Sequence, residues 1–167
     1  APSNQIVSQQ VQPIRAVEEI KPQKVTQLND TTYVFDFARN MSGTSRIKVA
    51  GEAGTVIRLK HGERSYENGH VDLSNIDVYY YPKDNSDPFQ TDILTLSGEG
   101  EDDFMARFNY KGFRYVEVTT SKPLKLDENN LKAYFIHSDV TQRGAIKTSS
   151  PLIDRMCWAT NNAYLSN

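Results

Sequence analysis

The chain of 167 residues is short of several things, and each shortage closes a class of function. It holds one cysteine, Cys157, so no internal disulfide framework can staple it. No apolar run approaches the roughly 20 residues that a membrane-crossing helix needs, which argues against a membrane span. The opening stretch, Ala1 to Gln12, is polar and lacks the basic start and apolar centre of a secretory signal. The compartment stays open on these grounds, with a periplasmic or extracellular setting favoured over a cytoplasmic one. Cations are not in excess: 19 Lys and Arg face 21 Asp and Glu, giving a formal net charge of −2 with both signs interspersed. Phosphate binding is driven by clustered cations and counterion release, so this balance argues against a nucleic-acid partner. Histidine is scarce too. His61, His70 and His137 have no zinc-ligand spacing and no cysteine partners, and neither a metal nor a cofactor is expected.

Aromatic and aliphatic residues are plentiful: seven Phe, nine Tyr and 38% hydrophobic overall, enough for a sizeable core. Their spacing is period two. In "TYVFDFA", Tyr33, Phe35 and Phe37 share one face, and in "SRIKVA" Ile47 and Val49 do the same. "GTVIRLKHGE" sets Ile57, Leu59 and His61 against Val56, Arg58 and Lys60. "QTDILTLSGEGEDDFMARF" reads as two strands joined by a turn at Gly98-Glu99-Gly100. About ten short strands and no amphipathic helix precede residue 149. The expected fold is therefore all-β, an antiparallel two-sheet β-sandwich over residues 13–148, with residues 1–12 as a polar lead segment. Its expected core includes Phe35, Phe37, Ile47, Leu59, Leu94, Phe108, Val116 and Phe135.

One stretch looks like something else. Residues 111 to 118, Lys-Gly-Phe-Arg-Tyr-Val-Glu-Val, nearly spell the octamer with which RNA-recognition modules stack bases. Such a module alternates strands with two helices, and no helical pattern lies nearby. Arg114 stands where the octamer wants Gly or Ala, and Val118 replaces its last aromatic. The stretch is better read as a packed strand, with Gly112 at a turn or bulge and Arg114 over an aromatic ring or paired with a carboxylate. The middle of the chain, residues 65–90, is polar, with Pro82 and Pro88, and reads as a long excursion with one short strand at "DVYYY". Tyr79, Tyr80 and Tyr81 are its candidates for a carbohydrate-binding surface, since aromatic faces pack on sugar rings. The alternative is that they anchor the loop to the sheet.

After residue 148 the period changes. Ser150 suits an N-cap, Pro151 the first helical position and Asp154 the first turn, so residues 150–165 read as a helix with an apolar stripe. Residues 149–167 are either a clasp on the sandwich or the start of a further, helical domain. Catalytic groups are harder to find. Glu18-Glu19 and Asp102-Asp103 are sequence neighbours, so on strands they point to opposite faces rather than flanking one bond. Cys157 sits among apolar helix positions, and the aspartates of the loop lack EF-hand spacing. No catalytic residue is expected in this chain.

Six segments in order, "PIRAVEEIKP", "YVFDFARNMSG", "RIKVAGEAGTVIRLKHGE", "GEGEDDFMARFNYKGFRYVEV", "IHSDV" and "SSPLIDRM", resemble bacterial α-L-rhamnosidases of glycoside hydrolase family 78. The resemblance covers almost the whole chain, and "F-x-Y-x-G-F-R-Y-V-E-V" is its most specific part. It implies a concanavalin-like β-sandwich that precedes and supports a catalytic α/α toroid of the same polypeptide, with "SSPLIDRM" entering the toroid's first helix. It also implies hydrolysis of terminal α-L-rhamnosides with inversion, by carboxylates of the toroid beyond Asn167. A glycan contact of the sandwich itself is the alternative role. Ala106 stands where the family often has Pro, and Ala38-Arg39 where Gly-Gln is common.

Overall fold

The computed structural model describes residues 7–79, with Tyr79 through its backbone alone, and residues 88–166. The strands are β1 (Ile14–Ile20), β2 (Lys24–Asn29), β3 (Thr32–Ala50), β4 (Val56–Gly62), β5 (Arg64–Ser65), β6 (Val71–Asp72), β7 (Thr91–Thr95), β8 (Glu101–Met105), β9 (Lys111–Thr120) and β10 (Leu131–Ser138). One helix, α1 (Pro151–Leu165), follows them. All strand pairs are antiparallel.

The architecture turns on β3, which is 19 residues long and, within one continuous eight-stranded sheet, belongs to both of its layers. Its first part, Thr32 to Asp36, lies between β2 and β9 (Val25↔Phe35↔Val116), and β4 and β7 extend that sheet beyond β9. Its second part, Thr44 to Ala50, lies between β10 and β8 (Leu131↔Ile47↔Phe104), with β1 outside β10. Between Asp36 and Met41 the register against β9 shifts, and Ala38 adopts a left-handed φ of 58°. A strand that crosses from one layer to the other needs such a bulge at its corner. The Asp36 carboxylate closes the corner by accepting the Ala38 amide at 2.6 Å.

The two layers enclose one core. Phe35, Ile47, Ile57, Leu59, Phe113, Val116, Val118 and Leu131 are fully buried, and Phe37 meets Phe113 edge-on at 6.0 Å. Gly43 is required by close approach: a Cβ there would collide with the Tyr134 carbonyl of β10. Six of the eight expected core residues, Phe35, Phe37, Ile47, Leu59, Val116 and Phe135, are buried, and Leu94 is half-buried against the same cluster.

Phe108 is a correction: it is 101% exposed. β8 ends at Met105, opposite Arg46, and the chain leaves the ladder before returning as β9. Alternation predicts a face only while a strand stays paired. Other local expectations also shift. β7 and β8 are joined through Gly98 (φ 78°) and Gly100 (φ 96°), yet they pair with β4 and β3, one in each layer. Gly112 lies inside β9 opposite Ser42, and the bulge belongs to β3 instead. Asp77–Tyr79 is a short 3-10 turn rather than a strand.

The helix forms where expected, but Ser150 does not cap it through its side chain. Asp154 does the local work, accepting the Thr148 amide at 2.8 Å and pairing with Lys147. No residue of α1 is buried. The helix touches the sandwich through its last turn, where Asn162 Nδ2 donates to the Asn40 carbonyl at 2.8 Å and Leu165 packs on the core.

Three mutational outcomes follow from burial and backbone. Phe113→Ala should cost about 3–5 kcal/mol in a urea or thermal unfolding curve, as for a fully buried phenylalanine. Phe108→Ala should stay within about 0.5 kcal/mol of the parent, as for a free surface position. Ala38→Gly should stabilise the chain by about 1 kcal/mol, because an L-residue with a Cβ is strained in the left-handed region; an unchanged or lowered midpoint would contradict the corner geometry.

Candidate functional site

The tyrosine surface is placed only in part. Tyr79 closes the 3-10 turn with its backbone, while its side chain, Tyr80 and Tyr81 lie outside the described residues. The strand that follows the loop is fixed by a buried polar node. His61 has no exposed surface, and its Nε2 is 2.8 Å from Ser45 Oγ across the two layers. Its Nδ1 is 3.2 Å from the Gln90 carbonyl, which also accepts the His61 amide at 2.9 Å. A carbonyl can only accept, so Nδ1 carries the proton and Nε2 accepts from the Ser45 hydroxyl. Gln90 is held in a left-handed φ of 54° by these two bonds. Beside the ring, Lys111 Nζ pairs with Asp92 at 2.7 Å and reaches Asn109 Oδ1 at 3.0 Å. Burial, and then the Lys111 charge, push the His61 pKa down to about 4, against a smaller opposing effect of Asp92.

Serine, histidine and aspartate thus meet here, yet the set is no nucleophilic triad. The imidazole is oriented by a backbone carbonyl rather than a carboxylate, and Ser45 is fully buried. No substrate can reach it.

The adjacent carboxylates part as their strand positions require. Glu18 pairs with Arg39 at 2.8 Å, whereas Glu19 accepts from Lys132 at 2.6 Å and Tyr134 at 2.7 Å, which hold its carboxyl below the usual range. Asp102 accepts the Ser97 amide, and Asp103 accepts from Nε and Nη2 of Arg46. Asp72 accepts the Ser74 amide and pairs with Arg64, while Asp84 and Asp87 lie outside the described residues. Among the described residues no three of His, Cys, Asp and Glu group as a metal site would, and no helix is long and apolar enough to cross a membrane.

Arg114 does both things expected of it. Nε and Nη2 each donate to Asp36 at 2.8 Å, and the guanidinium lies 4.7 Å over the Tyr115 ring. Burial pushes the Asp36 carboxyl up, but Arg114 and the Ala38 amide outweigh it and leave it low. Beside this pair, between the corner of β3 and α1, is a groove of about 490 Å³ lined by Arg39, Glu63, Gly112, Arg114, Trp158 and Asn162 among others. Trp158 falls within the helix expected at residues 150–165, and nothing in the sequence singles out Glu63. The two come together only because the last turn of α1 lands on the corner.

Residues 26–137 match the family described as the bacterial alpha-L-rhamnosidase concanavalin-like domain. The chain belongs to that family. An α-L-rhamnosidase of Streptomyces avermitilis is 31% identical over 166 residues, which are 97% of this chain and 15% of that protein. A crystal structure of an S. avermitilis α-L-rhamnosidase complexed with L-rhamnose superposes with a TM-score of 0.85 at 30% identity, over 97% of this chain and 15% of that one. The α-L-rhamnosidase structure from Dictyoglumus thermophilum gives 0.84 at 33% identity, over 96% and 17%. The chain therefore spans about 15–17% of the length of these relatives. In this concanavalin-like domain the octamer at 111–118 is β9, whose Phe113, Val116 and Val118 have no exposed face to offer a base.

The buried node makes stability depend on pH. His61 titrates near 4 in the folded chain and near 6.5 when unfolded, so the unfolded state takes up the proton first. Stability should be full above pH 6.5, fall between 6.5 and 4 by roughly 3 kcal/mol from this residue, and level off below. Denaturant midpoints of the parent and of His61→Gln, measured across that window, should converge towards acid; parallel curves would show that His61 is not the group responsible.

Proposed function

We propose that the chain is the non-catalytic sandwich domain of an α-L-rhamnosidase-type glycoside hydrolase. In this reading it supports a catalytic α/α toroid of the same polypeptide, and α1 is the toroid's first helix. The observation that carries it is coverage: nearly the whole chain aligns, but to about 15% of an α-L-rhamnosidase. The whole enzyme would hydrolyse terminal α-L-rhamnosides with inversion, using carboxylates outside this chain. Inversion requires two carboxyl groups about 6.5–9.5 Å apart with room for a water between them. The paired acids of the described surface are instead committed to Arg39, Lys132, Arg46 and Arg114.

The state of α1 supports the same reading. Leu152, Ile153, Met156 and Tyr164, which share one side of α1, are all exposed, although a 15-residue helix is marginal by itself in water. A stripe of that width suits further helices packed against it. A glycan contact through residues 65–90, with Tyr79, Tyr80 and Tyr81 as stacking faces, is the second reading. It draws support from Tyr66, which stands half exposed at the start of that segment.

The 167-residue chain should show no turnover of an aryl α-L-rhamnoside above the buffer rate, with released aryl alcohol as the readout. Turnover that a carboxylate substitution within the chain abolishes would overturn the proposal.

A further inference from the structure

We infer that the groove between α1 and the corner of β3 is a saccharide subsite, taking one neutral pyranose ring with Trp158 as its stacking face and Glu63 as its hydroxyl acceptor. This deepens the reading above by giving the sandwich a sugar contact of its own. It rests on that reading for the class of ligand and on the groove for the chemistry. A volume of about 490 Å³ falls within the roughly 300–1,000 Å³ of small-ligand sites.

The lining is incomplete in a way that a sugar would complete. Glu63 is half-buried, yet its carboxylate has no hydrogen bond or ion pair with any described residue. A carboxylate with no donor from the protein is free to accept from a ligand, and vicinal hydroxyls are donors of that kind. Arg39 presents the opposite need. Its Nη2 is held by Glu18 at 2.8 Å and its plane by the Phe135 ring at 4.6 Å, while its Nε is buried with no acceptor. Arg114 is fixed by Asp36 through Nε and Nη2, which leaves its remaining nitrogen to donate.

Charge selects the class of ligand. Glu18 and Asp36 neutralise the two guanidiniums, so Glu63 leaves the lining slightly negative. That disfavours a phosphate or a uronate and suits a polyol, whose hydroxyls donate to Glu63 and accept from arginine. Trp158 is 55% exposed and offers the flat apolar face on which a pyranose packs. Gly112 keeps the floor open: its missing Cβ would stand 3.4 Å from Glu63 Oε1 and meet nothing else.

Trp158 is the single tryptophan of the chain, so its fluorescence reports on the groove directly. The 167-residue chain is titrated with methyl α-L-rhamnopyranoside and, separately, methyl α-D-glucopyranoside. A saturable change with a Kd on the order of 1 mM is expected for at least one of them, the modest affinity of a single ring. Glu63→Gln should weaken it about tenfold, as loss of a charged acceptor does. Gly112→Ala should weaken it by narrowing the floor; its φ lies outside the left-handed region, so the fold has no reason to change, and an unaltered melting midpoint verifies this for both variants. No saturable change with either sugar up to about 100 mM, far above the expected Kd, would overturn the proposal. So would a change that both variants leave intact, since that is casual stacking on an exposed ring. Hydrolysis is a separate readout: an unexpectedly active chain would sink the proposed function and leave this titration to stand or fall alone.

Discussion

The carboxylate of Asp36 accepts the Ala38 amide on one side and the Arg114 guanidinium on the other, and the rest of the sandwich is arranged around that pair of contacts. Without a corner at this point β3 would run straight on, and the two layers would share no strand. With it, one continuous segment lends its first half to β2 and β9 and its second half to β10 and β8. The contact is partly withdrawn from water, which works against the ionised acid. The bidentate arginine more than compensates, and its fixed fork leaves little freedom in how β9 approaches β3. The same geometry decides where Arg39 and Asn40 emerge, and so where α1 can rest.

A second tie runs through the interior. Ser45 belongs to one layer and His61 to the other, and their hydrogen bond joins layers that otherwise meet through hydrocarbon. Lys111 and Asp92 add a buried ion pair beside it. Such groups contribute little net stability once desolvation is counted, but they penalise any packing that leaves them unpaired. They also explain why Gln90, a residue with a Cβ, stays in a left-handed conformation. Its carbonyl must face both the amide and the ring of His61 to bring β7 onto the edge of its sheet.

Much of this was legible in the residues, and the reason is local. β3, β4, β9 and β10 are paired on both sides or close over the core, so every second residue must be apolar, and Phe35, Leu59, Val116 and Phe135 read out as core. The octamer at 111–118 was readable for another reason: no helical pattern flanks it, and Arg114 stands where a stacked base would need Gly or Ala. Phe108 misled because its spacing continues a rhythm after the pairing that gives rhythm meaning has ended at Met105. The corner was not announced: a left-handed backbone at Ala38 leaves no mark that periodicity can detect. The groove was illegible, since Arg39, Glu63, Gly112 and Trp158 come from four separate stretches. Their meeting depends on a helix end landing on a bulge.

The outermost pairing in the sandwich joins β1 to β10, with Ile14 opposite Ser138 and the Asp139 amide donating to the Pro13 carbonyl at 3.0 Å. The places where the chain enters and leaves the sandwich are therefore neighbours. Tension transmitted through the flanking polypeptide would fall first on that one rung and then on the next, peeling β1 away in sequence instead of loading the whole ladder in shear. Mechanically the domain is a zip fastener with both tabs at one end. It yields to a pull across its two ends at low force, while the long β3, clamped between neighbours in both layers, keeps the remaining strands in register.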